Sequence, residues 1–479
     1  MAKPNILLIV IDALRARNLS CYGYDKLTSP NIDALAQKGV LFENCFSTTN
    51  VTDPSFTTIL SGKYPASHGM IEQGVTSPAV YRKKLEGLVM LQSILKEHGY
   101  LTIGVDWLGR WHAQGYDYYS GAISKRLMIF NEVVFRKIKN SKFVDAIIEF
   151  IKRKTSRGVF SRFYLAYDKA SIVTDYALKT LSAHQEANFF LFIHYWDTHM
   201  PYNPPSNFIS PFRGSLYTPH VEKPQDILKT LPDNDWRYFL QDFLKGMEST
   251  TEALARYDGS LLYVDSEIGR LLDNMRSRGM LDNTLVIITA DHGESHTAHG
   301  IYFDHHGLYD ELIHVPLIIY YPERVAPRRI KTTIQHIDLV PTILDLAGIT
   351  YVKDEFDGKS LVPCLTGEAE IASIRPFVYV EEARSERKFA LRTDKFKYIF
   401  AESEKDALCN YCGRIHGGIE ELYDLGKDPD ETHNILNEKP EIRNELRKIL
   451  LMFREGLETK REKQRLGARI KKLKMAEKI

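Results

Sequence analysis

A threonine ahead of a proline, an aspartate closing an apolar run and an Asp-His pair closing another are the residue types here that could do chemistry. The stretch from Asn50 to Gly69 reads NVTDPSFTTILSGKYPASHG, which predicts a helix opening at Thr52 with a glycine turn behind it. A helix N-terminus gathers free N–H groups and the positive dipole end, so it suits an oxygen nucleophile attacking an anionic ester. Taken alone, the same residues read as a plain capped helix, with Thr52 or Asp53 as N-cap and Pro54 in the first helical position. The surrounding chain has to decide between the two.

Asp12 follows the run Asn5-Ile6-Leu7-Leu8-Ile9-Val10-Ile11, and Asp291-His292 follows Leu285 to Thr289. Phe189 to His194 runs into Tyr195-Trp196-Asp197-Thr198-His199. Each apolar run predicts a buried parallel strand, and ligands in open α/β sheets bind at the C-terminal edge of such strands. Each polar residue alone has a plain explanation as a helix cap or a satisfied core group. Together, two carboxylates, an imidazole and a hydroxyl expected on one sheet edge make a shell for a divalent cation, which would activate the Thr52 hydroxyl. Five histidines crowd the loop that Asp291 opens: His292, His296, His299, His305 and His306 fall within DHGESHTAHGIYFDHHGLYDE. They could hold a second metal, bind ester oxygens or protonate a leaving group.

The elements that must position these residues follow from periodicity. Helices are predicted over 31–38, 88–98, 175–181, 251–274 and 337–346, and strands over 5–11, 101–105, 189–194, 285–289 and 315–320. Their alternation predicts a parallel sheet with helices on both faces. After about residue 365, short strands at 377–381, 389–392, 398–400 and 422–424 predict a small antiparallel subdomain. Residues 454–479 carry ten Lys/Arg against four Glu and read as a solvated helix or frayed tail. Residues 125–162 carry eleven Lys/Arg against three acids, with apolar residues at helical spacing. They read as a packed helical insertion or, alternatively, as a surface for anionic lipid or a polyanionic substrate.

With 479 residues, 44% apolar and 26% charged, the chain is globular and large enough for one big α/β domain plus a smaller one. A formal net charge of +1 points away from a nucleic-acid partner. Asn5–Ile11 lacks a charged n-region and a cleavage site and is too short to span a bilayer, so the expected setting is cytoplasmic. Five cysteines, an odd and sparse set, agree with a reducing compartment. Cys409 and Cys412 form a CxxC near His416, and solvent-exposed thiols are expected there rather than a zinc knuckle.

The motifs PNILLIVIDALR, SPNIDALAQKGVLFENCFS, TDPSFTTILSGKYPASHG, GYLTIGV, HYWDTHMPYNPP, TADHGE, LYDELIHVPLIIYYP, QHIDLVPTILDLAG, DGKSLVPCLTG, KYI and ELYDLGKDPDETHNI occur in this order. From about residue 3 to 436 the chain thereby resembles the sulfatase family of the alkaline phosphatase superfamily. The resemblance implies the α/β sulfatase fold, a metal-bound hydroxyl-type nucleophile and attack on a sulfuryl or phosphoryl ester. It also has gaps. The family's Cys-x-Pro-x-Arg, or its Ser form, is the site of formylglycine conversion and reads Thr52-Asp53-Pro54-Ser55-Phe56 here. The family's Asp-Asp is Asp12-Ala13, its Lys-His before the LYE block is His305-His306, and its Gly-Lys-Trp-His is echoed by Gly109-Arg110-Trp111-His112. One Asp, a Thr and an Asp-His pair resemble instead the threonine-nucleophile branch, the nucleotide pyrophosphatase/phosphodiesterases and phosphoglycerol transferases.

The expected fold class is therefore α/β, a mixed, mostly parallel sheet sandwiched by helices, plus a small C-terminal α+β subdomain. The expected divisions are a catalytic domain over 1–365 with a basic helical insertion at about 121–165, an antiparallel subdomain over 366–440 and a charged helical tail over 441–479. Thr52 is the expected nucleophile, with Asp12, Asp291 and His292 sharing its metal. His199 and His306 count with Thr52 as catalytic, and Arg110, His112, His199, His299 and His305 as substrate-binding. One divalent cation is expected, Mn²⁺ or Zn²⁺ favoured by the imidazole ligand and Ca²⁺ left open, with room for a second metal and no formylglycine. The expected partner is an anionic ester, with peripheral contact to anionic membrane through 125–162 left open. Phosphoryl chemistry is favoured; a sulfatase working without formylglycine and a catalytically silent binding protein are the alternatives.

Overall fold

Three strands with every side chain buried, or all but one, set the centre of the molecule: β1 (Asn5–Ile11), β5 (Phe189–Tyr195) and β6 (Thr284–Ala290). Strands apolar on both faces must be covered on both, and helices flank the sheet they build. The computed structural model describes residues 3–74, 80–81, 84–120, 168–217, 222–367 and 375–476, so the expected basic insertion lies outside the described residues. The other strands of this sheet are β2 (Val40–Phe46), β3 (Leu101–Val105), β4 (Tyr118–Tyr119), β7 (His314–Tyr320), β8 (Arg328–Ile330) and β9 (Ile334–Gln335). Their order is β4-β3-β5-β1-β6-β7-β2-β8, with β9 also on β2. Only the β6–β7 and β7–β2 pairings are antiparallel, so the sheet is mixed and mostly parallel, as the sequence predicts.

Register decides where the site falls. Ile11, the last residue of β1, pairs with Tyr195 of β5 on one side and with Ala290 of β6 on the other, all parallel. The next residues along these strands are Asp12, Trp196 and Asp291, which therefore leave the sheet side by side at its C-terminal edge. The long helix Thr251–Ser277 packs on the helices Ala170–Ala183 and Pro30–Lys38. It also supplies a cap: Asp265 accepts from the backbone N–H of Asn31 (3.1 Å) and Ile32 (2.8 Å) at the start of Pro30–Lys38.

A second sheet follows, with β10 (Val378–Glu382), β11 (Lys388–Arg392), β12 (Phe396–Ala401) and β13 (Glu420–Asp424) antiparallel in that order. The last helix runs from Pro440 to Ala476. The segment expected as a solvated helix or frayed tail, 454–479, is helical through Ala476 and mostly exposed over 454–467, but it is anchored at its start. Leu446, Leu450 and Leu457 are buried against this sheet, Phe453 packs edge-on against Tyr64, and Lys460 Nζ reaches Asp357 Oδ1 at 2.6 Å. Charge counting missed this because an apolar stripe at helical spacing survives inside the charged run. Among the described residues, no helix is long and apolar enough to cross a membrane.

The loop after β5 holds a pH-sensitive group. Burial pushes Asp197 up to about 7, against an ordinary value of 3.8, and backbone N–H groups only partly offset it. The folded chain thus keeps a proton that the unfolded chain has lost, and stability falls as pH rises from about 4 through 7. Asp197→Asn should remove this slope, leaving stability below about pH 4 nearly unchanged and raising it above pH 7 by on the order of a few kcal/mol. Urea midpoints of both chains across that pH range check this; parallel curves would refute it.

Candidate active site

The helix Thr52–Ser61 is buried along its whole length and ends at Gly62, whose φ of 67° places the closing turn in the left-handed region. Val51, extended at φ −132°, is its N-cap, and no side chain caps it. The plain capping alternative is thereby overturned. Thr52 is the first helical residue and its hydroxyl is not spent on the backbone; instead Oγ1 lies 3.2 Å from His292 Nε2. Asp53 is no cap either: its carboxylate pairs with Arg110 and accepts from Gly74 N at 2.6 Å. Ser55 Oγ donates to the Asp291 carbonyl at 2.7 Å, which ties this helix start to the end of β6.

Asp12, Asp291 and His292 can each turn one ligand atom to a common point, with those atoms within 4.8 Å of one another, and all three are fully buried. Asp291 Oδ1 is held by the N–H groups of Ala13 (3.1 Å) and His292 (2.9 Å). Ala13 occupies the position of the family's second aspartate, with φ at 53°, a left-handed conformation that costs a non-glycine residue about 1 kcal/mol. His292 Nδ1–H donates to the Gly293 carbonyl at 2.8 Å, leaving the Nε2 lone pair facing Thr52. Asp12 Oδ1 and Asp291 Oδ2 are buried with no hydrogen-bond donor. Orphaned buried carboxylate oxygens are costly unless a cation satisfies them, so these residues fit a divalent metal.

The charges agree. Burial raises the Asp12 carboxyl, but the hydrogen bond from His194 and the charge of that imidazolium outweigh it and hold it below its ordinary value. Burial, and then the Asp12 charge, push Asp291 up to about 8. Two carboxylates this close do not both stay ionised without a counter-charge. Burial also lowers His292 and His199 and, with the Arg384 charge, drives His305 well down, so these three rings are neutral.

Among the residues expected from sequence, Thr52, Asp12, Asp291, His292, His305 and His199 are brought together. The His305 ring stacks on His292 at 4.2 Å between centroids and lies 5.6 Å from that of His199. Its Nδ1–H donates to the Asn50 carbonyl at 2.6 Å, and Asn50 Nδ2 returns a bond to the His305 carbonyl, also at 2.6 Å. Arg110 reaches the site through Asp53. His112 is set one step back, with Nε2 on Asp106 Oδ2 at 2.7 Å and its ring edge-on to Phe56. His299 and His306 are not brought to Thr52. His299 stacks on Tyr309 and lines a separate cleft of about 860 Å³ with Arg15 and Arg17. Both His306 nitrogens are engaged elsewhere, Nδ1 with Asp304 Oδ2 at 3.2 Å and Nε2 with Cys412 Sγ at 3.4 Å. Cys409 and Cys412 are 0% and 3% exposed, which corrects the expectation of solvent-exposed thiols. A loop rich in polar residues suggested exposure, but the apolar cluster around Phe303 and Leu240 closes over it.

Three functional residues escape sequence reasoning. His194 bridges Asp106 Oδ1 (2.7 Å) and Asp12 Oδ2 (3.1 Å). Burial pulls its imidazole down, but the bonds to and charges of Asp106 and Asp12 prevail and push it up to about 10. A cationic His194 thus holds one oxygen of Asp12 and leaves the other free. The signal for it was its place in β5 opposite Val10, one position before the strand's last residue. Asp106 lies just past β3 and could have been found the same way. Arg384 comes from the turn after β10; its Nη1 lies 2.5 Å from His305 Nε2 and 3.3 Å from Asp304 Oδ1. No local spacing announces it.

A parallel-sheet edge presenting a helix-borne hydroxyl beside a carboxylate–imidazole cluster is the kind of site that metal-dependent ester hydrolases use. Comparison with known proteins narrows the class. The sulfatase family model matches residues 4–349, and the model of the N-sulphoglucosamine sulphohydrolase C-terminal region matches residues 297–456. The chain belongs to the sulfatase family. It is 23% identical to an N-acetylglucosamine-6-O-sulfatase of Bacteroides thetaiotaomicron, over 95% of this chain and 86% of that one. It is 25% identical to a choline-sulfatase of Rhizobium meliloti, over 90% and 82%. Its fold matches a solved complex with the substrate D-glucosamine-2-N,6-O-disulfate at a TM-score of 0.70, 22% identity and 96% and 99% coverage. It also matches the phosphonate monoester hydrolase of Agrobacterium radiobacter at 0.68, 20% identity and 95% and 96% coverage.

Proposed function

We propose that this chain cleaves or transfers phosphoric mono- or diesters through Thr52, with one divalent cation held by Asp12, Asp291, His292 and Thr52. The observation that carries this reading is the unspent Thr52 hydroxyl, 3.2 Å from His292 Nε2 and beside two orphaned carboxylate oxygens. A divalent cation bound there supplies Lewis-acid stabilisation of the deprotonated hydroxyl and of the charge on the transferred group; Mn²⁺ or Zn²⁺ suits a shell with an imidazole. Thr52 Oγ1 gives up its proton to solvent and forms the bond to phosphorus, the bond from phosphorus to the ester oxygen opposite it breaks, and that oxygen takes a proton from solvent water. Water or an acceptor alcohol then breaks the Thr52–phosphorus bond and regenerates the hydroxyl. Arg384 and Arg110 carry fixed positive charge to the non-bridging oxygens, while His199 and His305 stand beside them with their Nδ1–H groups given to the Met200 and Asn50 carbonyls.

Threonine favours phosphorus over sulfur here. It is not a substrate for formylglycine conversion, and a sulfate ester on Thr52 lacks the elimination route of a formylglycine hydrate. The position of the family's arginine is filled by Phe56, packed edge-on to His194 at 4.6 Å and to Phe192 at 5.5 Å. An arginine there would meet the cationic His194. The names of the curated relatives favour a second reading, a sulfuric ester hydrolase working without formylglycine. A panel of p-nitrophenyl sulfate, phosphate and methylphosphonate and bis-p-nitrophenyl phosphate, assayed across added Mn²⁺, Zn²⁺ and Ca²⁺, separates the two. Faster turnover of a phosphorus ester is expected. Faster turnover of the sulfate ester would establish the second reading, and no turnover of any ester with any metal would leave a binding protein on this fold.

A further inference from the structure

The imidazole and thiol groups that the active site leaves unused converge on a second centre. His306, Cys409, Cys412 and His416 each present one ligand atom, all within 4.8 Å of one another, and all four residues are buried. They come from two distant parts of the chain. His306 lies in the histidine loop that follows β6. The other three lie on a tight turn before β13, closed by the Leu408–Ile415 bridge and by Gly413, whose φ is 67°. Within the turn the Cys409 N–H donates to the Arg414 carbonyl at 3.0 Å and the Gly413 N–H to the Cys409 carbonyl at 2.9 Å.

We propose that His306, Cys409, Cys412 and His416 form a structural zinc site, separate from the Thr52 centre, that clamps the histidine loop to the C-terminal sheet. Two thiolates and two imidazoles are a closed set for tetrahedral Zn²⁺. Neighbouring S and N ligands on one zinc stand about 3.5 Å apart for bonds of about 2.3 and 2.0 Å. Cys412 Sγ and His306 Nε2 stand 3.4 Å apart. The second sphere is in place as well. His306 Nδ1 is held by Asp304 Oδ2 at 3.2 Å, the carboxylate–histidine pairing that aims Nε2 at a metal. His416 Nδ1 donates to the His299 carbonyl at 3.0 Å, which leaves its Nε2 buried with no partner. The Cys412 N–H donates to Cys409 Sγ at 3.4 Å, which favours the thiolate. Four protein ligands leave no coordination position for substrate, so the centre holds structure rather than reacting.

What it holds matters to the other site. Asp304 gives one oxygen to His306 and the other to the His305 N–H (2.7 Å) and the Arg384 guanidinium (3.3 Å). His306 is thus tied through one carboxylate to the two groups that stand over Thr52. Loss of the clamp should therefore raise KM and lower kcat together by loosening His305 and Arg384.

The test uses the full chain, purified under reducing conditions without chelator, in an Asp291→Asn background that empties the Thr52 centre. This protein should retain one zinc per chain by mass spectrometry of metals. Replacing that zinc with Co²⁺ should give thiolate-to-cobalt charge-transfer absorption with tetrahedral visible bands. Adding Cys409→Ser or Cys412→Ser should abolish both the absorption and the retained zinc. If a serine variant does not fold, the cobalt spectrum of the Asp291→Asn chain alone decides. A folded Asp291→Asn chain with no retained zinc and no thiolate-to-cobalt band would overturn the proposal, as would isolation of the metal-free protein with a Cys409–Cys412 disulfide. Neither outcome bears on whether Thr52 is a nucleophile.

Discussion

Thr52→Ala should lower turnover of whichever ester the chain prefers by roughly 10⁴-fold or more, the scale at which loss of a nucleophile is felt when binding groups remain. The fold should survive, because the helix start relies on the Val51 backbone and on Ser55, not on the Thr52 hydroxyl. Metal occupancy should fall only modestly, since Asp12, Asp291 and His292 remain as ligands. Thr52→Ser keeps the oxygen and should stay within roughly tenfold of the parent. The pair of variants separates a chemical role from a packing one. Removing the methyl opens a small cavity in both, while only the alanine removes the oxygen. Steady-state kinetics with metal content measured on the same samples decides the matter, and an alanine variant retaining a tenth of the parent activity would refute the nucleophile.

The second large effect concerns Asp291→Asn. Asp291 Oδ1 takes two backbone N–H bonds, so an asparagine must turn its carbonyl oxygen to them and its NH₂ toward Asp12 and the metal position. An amide nitrogen with two protons is no ligand, so metal affinity should drop by at least about 10²-fold, and activity with it. Excess metal should restore only part. In metal-free protein the sign reverses. Burial and the Asp12 charge hold Asp291 at about 8, so between its ordinary value of 3.8 and about 8 the folded chain keeps a proton and stability falls as pH rises. Asparagine removes that penalty. Metal-free Asp291→Asn should therefore melt higher than metal-free parent above pH 8. Metal added at about 100 times its Kd should raise the parent by about 2.7 kcal/mol and the variant by little, so the gap between them narrows. Thermal melts with and without metal at that pH measure both halves. A variant destabilised in the metal-free form, yet stabilised by metal as strongly as the parent, would remove Asp291 from the metal shell.

Both expectations treat the metal shell as prebuilt, and the structure explains why. His194 is kept cationic by Asp106 and occupies one oxygen of Asp12, so the remaining orphan oxygen has a fixed aim. Ala13, in a left-handed conformation, turns its N–H onto Asp291.

Sequence alone determined the sheet edge and its contents. Buried parallel strands read as unbroken apolar runs, and a polar residue closing such a run can only sit at the strand end, so Asp12 and Asp291-His292 were legible from local pattern. Thr52 was legible as a candidate but not as a hydroxyl free of capping, because whether residue 51 or 52 caps the helix turns on backbone angles that composition does not encode. Tertiary structure decided what depends on contacts across hundreds of residues. It joined Arg384 from the second sheet to His305, and Asp106 to Asp12 through His194. It divided the neighbours His305 and His306 between two centres, one facing Thr52 and the other facing Cys412. Adjacent residues on an irregular loop carry no periodic signal for the side each ring faces. That choice is made by the partners each ring meets, Asn50 and Arg384 for one and Asp304 and Cys412 for the other, and those partners meet only when the chain is folded.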